Sequence, residues 1–278
     1  MYFIELLATK KCNQSCYYCT THKDDKTIVD IDYLKWVLDQ CPSELGVEMT
    51  GGEIGLLSNL DEFYKTVKDH PHVKYIMALS NGLVRKIGVD WIDDVEYWEH
   101  LVYDISDRKI IRFYPELGFN QDHKYVIVTT EKTTKSLLNN WKYFKDIGLF
   151  QDKFYYKLMN HKSSISIDSY FDELAELYTR LDREYEQRML LAYKIKNFLK
   201  VERKCCQMNS PNPFVDLQTG EVGHCAININ ESIKYKFNKE NLDKIINGKM
   251  IPPSYCETCY AFDHGIKRGK ATNRSYKR

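Results

Sequence analysis

Short apolar runs alternate with amphipathic stretches over the first two thirds of the chain. The segment Tyr2–Thr9 is mainly apolar and predicts a first buried strand. Asp30 can cap a helix that follows it. Five further strands are predicted at residues 46–50, 74–80, 101–105, 124–130 and 154–159. The chain therefore begins as a series of strands and helices in alternation.

Four amphipathic helices are predicted among these strands. Each has apolar side chains at helical spacing, which gives it a face that can pack on a sheet. Their apolar positions are Ile31, Leu34, Val37 and Leu38; Leu60, Phe63, Tyr64 and Val67; Leu137, Leu138, Trp141 and Phe144; and Phe171, Leu174, Tyr178 and Leu181. Strands that alternate with helices predict βαβ units and a parallel sheet, with functional residues at the carboxyl ends of the strands.

The pattern changes near residue 200, where short strands, turns and cysteines replace the βα repeat. We therefore expect two domains, residues 1–188 and 189–278, with the boundary at the end of a long helix. The sequence contains no internal repeat and no low-complexity segment.

Charge narrows the possible functions. The 278 residues include 40 Lys and Arg against 39 Asp and Glu, so the formal net charge is +1, and 43% of the residues are hydrophobic. This composition is that of a soluble globular protein. A dedicated DNA- or RNA-binding protein would carry a strong basic excess, so the charge balance argues against that class. A nucleotide substrate stays compatible with it.

The chain has nine cysteines in two groups. An odd number, and first residues without the basic and apolar segments of a signal peptide, argue against a secreted disulfide framework. No apolar run approaches the roughly 20 residues that cross a bilayer, so we expect no membrane association. We expect a cytoplasmic protein whose reduced thiols can bind metal. The early cysteines are Cys12, Cys16, Cys19 and Cys41, and the late ones are Cys205, Cys206, Cys225, Cys256 and Cys259.

Three of the early cysteines form a compact motif. Cys12, Cys16 and Cys19 have the spacing C-x3-C-x2-C in a polar segment, whereas Cys41 stands alone and is expected to be a buried thiol. Three thiolates on one loop can each bind one iron of a [4Fe–4S] cluster, which leaves the fourth iron open. Zinc bound by the same three cysteines and His22 is the alternative. It accounts for neither the βα repeat nor the Gly-Gly-Glu that ends the next strand.

This cysteine spacing, together with Gly-Gly-Glu after the second strand, resembles the radical S-adenosylmethionine (SAM) superfamily over residues 1–160. The resemblance implies an α/β fold, a partial (β/α)6 TIM-like barrel. It implies that the three cysteines bind a [4Fe–4S] cluster whose open iron takes the amino and carboxylate groups of SAM. Reductive cleavage of SAM would then give methionine and a 5′-deoxyadenosyl radical, which removes a hydrogen atom from the substrate.

The resemblance also assigns residues to the SAM site. Tyr18 would pack against the adenine. Gly51, Gly52 and Glu53 would hold the amino group, and Ile54 stands where the family usually has proline. Polar residues at strand ends are candidates for the SAM ribose or carboxylate, although turn formation alone also favours such residues there. They are Ser80, Asn81 and Ser106.

The late cysteines surround a predicted β-hairpin at residues 214–225, with its turn at Gln-Thr-Gly ending on Gly220. The pattern C-x13-G-x4-C followed by C-x2-C resembles the twitch subgroup of the same superfamily, a shortened SPASM extension. The resemblance implies a small C-terminal α+β domain with one auxiliary [4Fe–4S] cluster, in which Cys205 can replace Cys206. A structural zinc ribbon is the alternative. The implied ligands are Cys206, Cys225, Cys256 and Cys259.

Four cysteines would saturate an auxiliary cluster, so it would be a structural staple or an electron relay. A relay suits a reaction in which the substrate radical loses an electron, as in the twitch-type dehydrogenase of aminoglycoside biosynthesis. We therefore expect oxidation of a small polar substrate with consumption of SAM. An electron donor such as flavodoxin or ferredoxin is the expected partner.

Other reactions and one other class stay open. A peptide is an alternative substrate, and regenerated SAM would indicate an isomerase. A nucleoside or nucleic acid is another, because the C-terminal tail is basic and can contact phosphates. A frayed, solvated terminus is the more ordinary explanation of the tail. A non-catalytic zinc-binding interaction protein is the remaining class. The basic residues of the tail are Lys267, Arg268, Lys270, Arg274, Lys277 and Arg278.

Overall fold

The computed structural model describes the greater part of the predicted βα region and the predicted hairpin. The described residues are 2–13, 26–80, 97–102, 123–146, 154–158, 167–184, 187–188, 190–191, 194, 213–223 and 235–247.

The described strands form one mixed sheet. Strands β1 to β6 lie side by side in chain order, and each is parallel to the next. Strand β7 adds in parallel to the other edge of β1, and β8 and β9 follow in antiparallel pairing. The bounds are β1 Tyr2–Thr9, β2 Leu45–Gly51, β3 Val73–Ser80, β4 Tyr97–Val102, β5 His123–Thr129, β6 Phe154–Leu158, β7 Phe214–Asp216, β8 Glu221–Gly223 and β9 Tyr235–Lys236.

In the described part of the chain, helices follow strands β1, β2, β5, β6 and β9. Two of them begin at side-chain caps, since Asp30 accepts from the Tyr33 N–H at 3.0 Å and Thr130 accepts from the Thr133 N–H at 3.1 Å. The helices are α1 Ile31–Gln40, α2 Leu60–Lys68, α3 Glu131–Asn139, α4 Trp141–Asp146, α5 Phe171–Arg180 and α6 Leu242–Ile246, and 3-10 turns span Ile54–Leu56 and Ile167–Tyr170.

Parallel strands in chain order, with helices between them, fit a partial TIM-like barrel. This arrangement brings the carboxyl ends of β1 to β6 to one edge of the sheet, where the sequence predicts the functional residues. No helix in the described part of the chain is long and apolar enough to cross a membrane.

The predicted strands are confirmed with one displacement. Strand β4 spans Tyr97–Val102 and not residues 101–105. Glu99 and His100 lie in the middle of this strand, and their polarity concealed its first half in the apolar pattern. The predicted end of β5 was also one residue too long, because Thr130 is the cap of α3.

The single helix predicted over Leu137 to Phe144 is two short helices. The first helix ends before Asn140, whose backbone is not helical. The Asn140 side-chain amide donates to the Ser136 carbonyl at 3.0 Å. Asparagine often ends helices because its side chain competes for backbone hydrogen bonds. The apolar periodicity carries across the break, which is why the sequence pattern did not reveal it.

The apolar core lies between the sheet and helices α1 and α2. It includes residues from the C-terminal hairpin, so part of the chain beyond residue 188 shares this core with β1 and β2. The domain boundary at residues 188–189 stays a prediction. Among the buried residues of the cluster are Ile4, Leu6, Ala8, Leu34, Val37, Leu38, Val47, Met49, Phe63, Val67, Val215, Leu217, Val222, Phe237 and Ile245.

Candidate active site at the carboxyl ends of β1 and β2

Two of the sequence motifs meet where β1 and β2 end. The Gly52 N–H donates to the Thr9 carbonyl at 2.7 Å, and the Glu53 N–H donates to the Lys11 carbonyl at 2.8 Å. These bonds extend the pairing of the two strands beyond their last residues. Cys12 follows Lys11 directly, so the first cysteine is tied through the backbone to the Gly-Gly-Glu motif.

The close approach of these two segments requires glycine. A Cβ atom at Gly52 would lie 2.4 Å from the Lys11 carbonyl oxygen and 2.7 Å from that of Lys10. One at Gly51 would lie 2.8 Å from the Thr9 carbonyl oxygen. Side-chain atoms do not tolerate such distances to backbone, which cannot move aside as the end of a flexible side chain can. The two glycines therefore allow the Gly-Gly-Glu motif to lie against the start of the cysteine loop (residues 10–26).

Glu53 has a structural role of its own. Its side chain is fully buried, and Oε1 accepts from the Gly55 N–H at 2.9 Å, which caps the 3-10 turn Ile54–Leu56. Ile54 is the first residue of that turn and is also buried. The first position of a helical turn is where proline is best tolerated. This position is therefore compatible with the proline expected from the resemblance as well as with Ile54.

The far end of the cysteine loop returns to the same place. The Thr9 hydroxyl donates to the Lys26 carbonyl at 2.6 Å, which closes the base of the loop. The Ser58 N–H donates to the Thr27 carbonyl at 2.6 Å, and the Thr27 and Ser58 hydroxyls lie 3.0 Å apart. The residues that follow the Gly-Gly-Glu turn thus hold the end of the loop, as Gly52 holds its start.

A third segment reaches this corner from the C-terminal part of the sequence. The predicted hairpin is confirmed as β7 and β8, and Gly220 in its turn has φ +70°. The Gln218 side-chain amide donates to the carbonyl of Ala8 at 2.6 Å and to that of Ile28 at 3.0 Å. Lys10 Nζ lies 2.6 Å from Asp216 Oδ2.

Lys10, Asp216 and Gln218 were not among the residues selected from the sequence. Their types gave no specific signal, because a lysine in a polar loop and Asp and Gln near a turn are ordinary. The only available hint was the position of the Val-Asp-Leu-Gln-Thr-Gly segment inside the second cysteine motif.

Five of the predicted site residues lie in the described part of the chain. Cys12, half-buried, begins the cysteine loop, and Gly51, Gly52 and Glu53 meet it. Ser80 is the last residue of β3. Outside the described residues lie Cys16, Tyr18, Cys19, His22, Asn81, Ser106, Cys205, Cys206, Cys225, Cys256, Cys259 and the basic tail.

Cys41 is a buried thiol, as predicted. It is 3% exposed, and its Sγ–H donates to the Val37 carbonyl at 3.3 Å. Burial raises the pKa of this thiol to about 12. A protonated, enclosed thiol is a poor metal ligand, so Cys41 does not belong to the site.

The donor chemistry of this corner suits an iron–sulfur cluster with an organic ligand. The cysteine spacing provides three thiolates on a segment whose two ends are fixed, and the glycine pair lets the backbone of Thr9, Lys10 and Lys11 pack against the Gly-Gly-Glu motif. In the described part of the chain, no three His, Cys, Asp or Glu side chains are grouped as metal ligands. Of the three ligands that the sequence predicts, Cys12 lies in the described part of the chain, and Cys16 and Cys19 lie outside it.

Comparison with known proteins defines the class of fold. No protein-family model matches the sequence, and no curated protein matches it. Solved structures do match, and they show that the chain shares its fold with the proteins described next.

Two of these structures are similar over most of the chain. One is anSMEcpe with bound AdoMet and the Cp18Cys peptide, with a TM-score of 0.57, 16% identity, and coverage of 90% of this chain and 82% of that one. The other is SuiB of Streptococcus suis, with a TM-score of 0.57, 12% identity, and coverage of 89% of this chain. This chain spans 66% of the length of SuiB.

Proposed function

We propose that this protein is a radical SAM enzyme. The observation that carries the proposal is the backbone junction between the cysteine loop and Gly51-Gly52-Glu53 at the carboxyl ends of the first two strands. A zinc site would need the cysteines but does not account for the Gly-Gly-Glu motif joined to them. The fold shared with anSMEcpe and SuiB supports the same conclusion.

Each part of the junction has a role in this proposal. Cys12, Cys16 and Cys19 would hold three irons of a [4Fe–4S] cluster. When bound, that cluster supplies the electron that cleaves SAM to methionine and a 5′-deoxyadenosyl radical, which takes a hydrogen atom from the substrate. Gly51, Gly52 and Glu53 would bind the SAM amino group, and the buried Glu53 would place negative charge next to it.

The remaining SAM contacts are assigned by position. Ser80 is the last residue of β3, the strand next to β2, and Asn81 follows it directly. Ser106 comes four residues after the end of β4 in sequence. The carboxyl ends of neighbouring parallel strands meet at one edge, so these residues are proposed to contact the SAM ribose or carboxylate. Tyr18 is proposed to pack on the adenine.

A second [4Fe–4S] cluster is proposed on the C-terminal cysteines. The hairpin supports it by sequence position alone, because Cys206 comes eight residues before β7 and Cys225 two residues after β8. Cys256 and Cys259 would complete the set. A saturated auxiliary cluster suits electron removal from the substrate, so the proposed reaction is oxidation of a small polar substrate, with flavodoxin or ferredoxin as electron donor.

Peptide modification is the second candidate. The observation that favours it is the likeness to anSMEcpe, whose structure contains the Cp18Cys peptide. The two candidates share the SAM chemistry and differ in the substrate alone, so they are distinguished by offering both substrate classes to the same enzyme.

Metal content tests the class of site. After anaerobic reconstitution, we expect about eight irons and eight sulfides per chain from two four-iron clusters. Cys12→Ala should remove about half of the iron and abolish 5′-deoxyadenosine formation, whereas Cys41→Ala should retain both. Stoichiometric zinc with no labile sulfide would refute the proposal, and about four irons with one zinc would refute the auxiliary cluster.

A further inference from the structure

The hairpin turn, residues 216–220, contacts both ends of the cysteine loop. The Gln218 side-chain amide donates one N–H to the carbonyl of Ala8 at 2.6 Å and the other to the carbonyl of Ile28 at 3.0 Å. Ala8 precedes the loop and Ile28 follows it. One planar amide therefore fixes the spacing between the two ends.

An ion pair holds the start of the loop to the same turn. Asp216 is fully buried, the Lys10 side chain is 13% exposed, and their charged atoms lie 2.6 Å apart. Asp216 Oδ1 accepts from the Gln218 N–H at 2.9 Å. Among the described residues, Oδ2 has no hydrogen bond of regular geometry, so the Lys10 ammonium is its charged partner. A buried carboxylate holds such a partner firmly, because losing it leaves a charge without compensation. Lys10 stands two residues before Cys12.

The turn also has hydrogen bonds that do not involve the loop. The Asp216 carbonyl accepts from the Gly220 N–H at 2.8 Å, and Gly220 adopts the left-handed conformation that glycine tolerates. The Leu217 N–H donates to the Leu7 carbonyl at 3.0 Å, and the Phe237 N–H donates to the Gly220 carbonyl at 2.8 Å. The turn is thus fastened to β1 and to the segment after β8.

We propose that the hairpin turn is the positioning element of the cysteine loop. Asp216 and Gln218 set the positions of Lys10 and of the two loop ends, and through them the position of Cys12 against Gly52 and Glu53. This inference goes beyond the proposed function, because it concerns the iron-free protein and does not depend on which metal the loop takes. A segment from the C-terminal part of the chain thereby shapes the site formed by its first strands.

Amide hydrogen exchange of the full-length, iron-free protein tests the proposal. The reporters are the N–H groups of Gly52, Glu53 and Ser58, which donate to residues at the two ends of the loop. In Gln218→Ala and Asp216→Asn we expect these amides to exchange at least about fivefold faster, because local opening becomes easier. The amides of helix α2 are the internal reference and should keep their wild-type rates.

Glu221→Gln is the matched control. Glu221 lies in the same hairpin, but its side chain contacts Lys236 and Thr219 and, among the described residues, none of the loop. Alkylation of the buried Cys41 thiol reports global opening in every variant. The proposal is overturned if the three reporter amides keep wild-type exchange rates in Gln218→Ala and Asp216→Asn. It is also overturned if Glu221→Gln speeds their exchange by the same factor, or if Cys41 alkylation in Gln218→Ala and Asp216→Asn speeds up by that factor. If Asp216→Asn does not fold, Gln218→Ala decides alone, since it strands no charge.

Discussion

The Glu53 N–H donates a 2.8 Å hydrogen bond to the carbonyl of Lys11, the residue before Cys12. This bond joins the motif proposed to bind the SAM amino group to the loop proposed to bind the cluster. Two segments about forty residues apart in sequence thus share one backbone ladder, as parallel neighbouring strands permit. The chemistry assigned to each motif depends on that contact.

Gly52→Ala should disrupt this junction. Its new Cβ would meet the Lys11 carbonyl oxygen at 2.4 Å, so the two segments must separate, at a cost of about 1–3 kcal/mol in the free energy of unfolding. Iron retention after reconstitution and 5′-deoxyadenosine formation should both fall. Gly46→Ala is the steric control, because its Cβ would meet the Phe3 ring at 2.4 Å but lies away from the site. A Gly52→Ala variant with wild-type activity would contradict the role assigned to this junction.

Glu53→Gln separates the charge of this side chain from its capping role. Glutamine retains an oxygen that can accept from the Gly55 N–H, so the melting temperature should stay close to that of the wild type. Loss of the negative charge should weaken SAM binding by about 1.5–3 kcal/mol, or roughly tenfold or more, measured calorimetrically on reconstituted protein. Equal affinity in the two proteins would show that the carboxylate charge does not serve SAM.

Breaking the buried ion pair should be costly, whereas removing both charges should not. Lys10→Met strands the Asp216 carboxylate and should lower the free energy of unfolding by about 3–5 kcal/mol. Lys10→Met with Asp216→Asn leaves no charge and keeps an acceptor for the Gln218 N–H, so we expect it to regain most of that loss. Urea unfolding of the iron-free proteins measures both values. A loss below about 1 kcal/mol in the single variant would show that the pair is not held in a buried environment.

Stability should decline in alkaline solution through Cys41. Burial raises the pKa of this thiol from 9.0 to about 12, so above pH 9 the unfolded chain loses a proton that the folded protein retains. The unfolded state is then favoured as pH rises, and this contribution to stability, complete below pH 9, is lost progressively towards pH 12, by up to about 1.4 kcal/mol per pH unit. Cys41→Ala should flatten the decline of unfolding free energy over this range. An unchanged slope would show that another group is responsible.

The sequence predicted the parts of this structure that local patterns determine. The apolar run of β1, the Asp30 cap and the turn at Gly220 each depend on residues close in sequence, and each is confirmed. Strand β4 was displaced because Glu99 and His100 interrupt its apolar pattern. Long strands and strong caps are therefore readable from one sequence, whereas a polar strand within the sheet is not.

The contacts that bring the segments of the site together could be predicted from the sequence only in part. Cysteine spacing and Gly-Gly-Glu indicated two motifs at neighbouring strand ends, and the structure brings Cys12 and Glu53 together. The contact of Gln218 with Ala8 joins residues 210 positions apart and depends on β7 pairing with β1. No periodicity or motif encodes that pairing, because it arises from the packing of the whole sheet.

Transfer of deuterium into 5′-deoxyadenosine tests the central claim most directly. The reconstituted enzyme, a reductant and SAM would be incubated with deuterated small polar metabolites and, separately, with deuterated peptides and nucleosides. With a true substrate, we expect one deuterium in 5′-deoxyadenosine, an oxidised product and no regeneration of SAM. Complete absence of 5′-deoxyadenosine from protein that contains both clusters and binds SAM would contradict it.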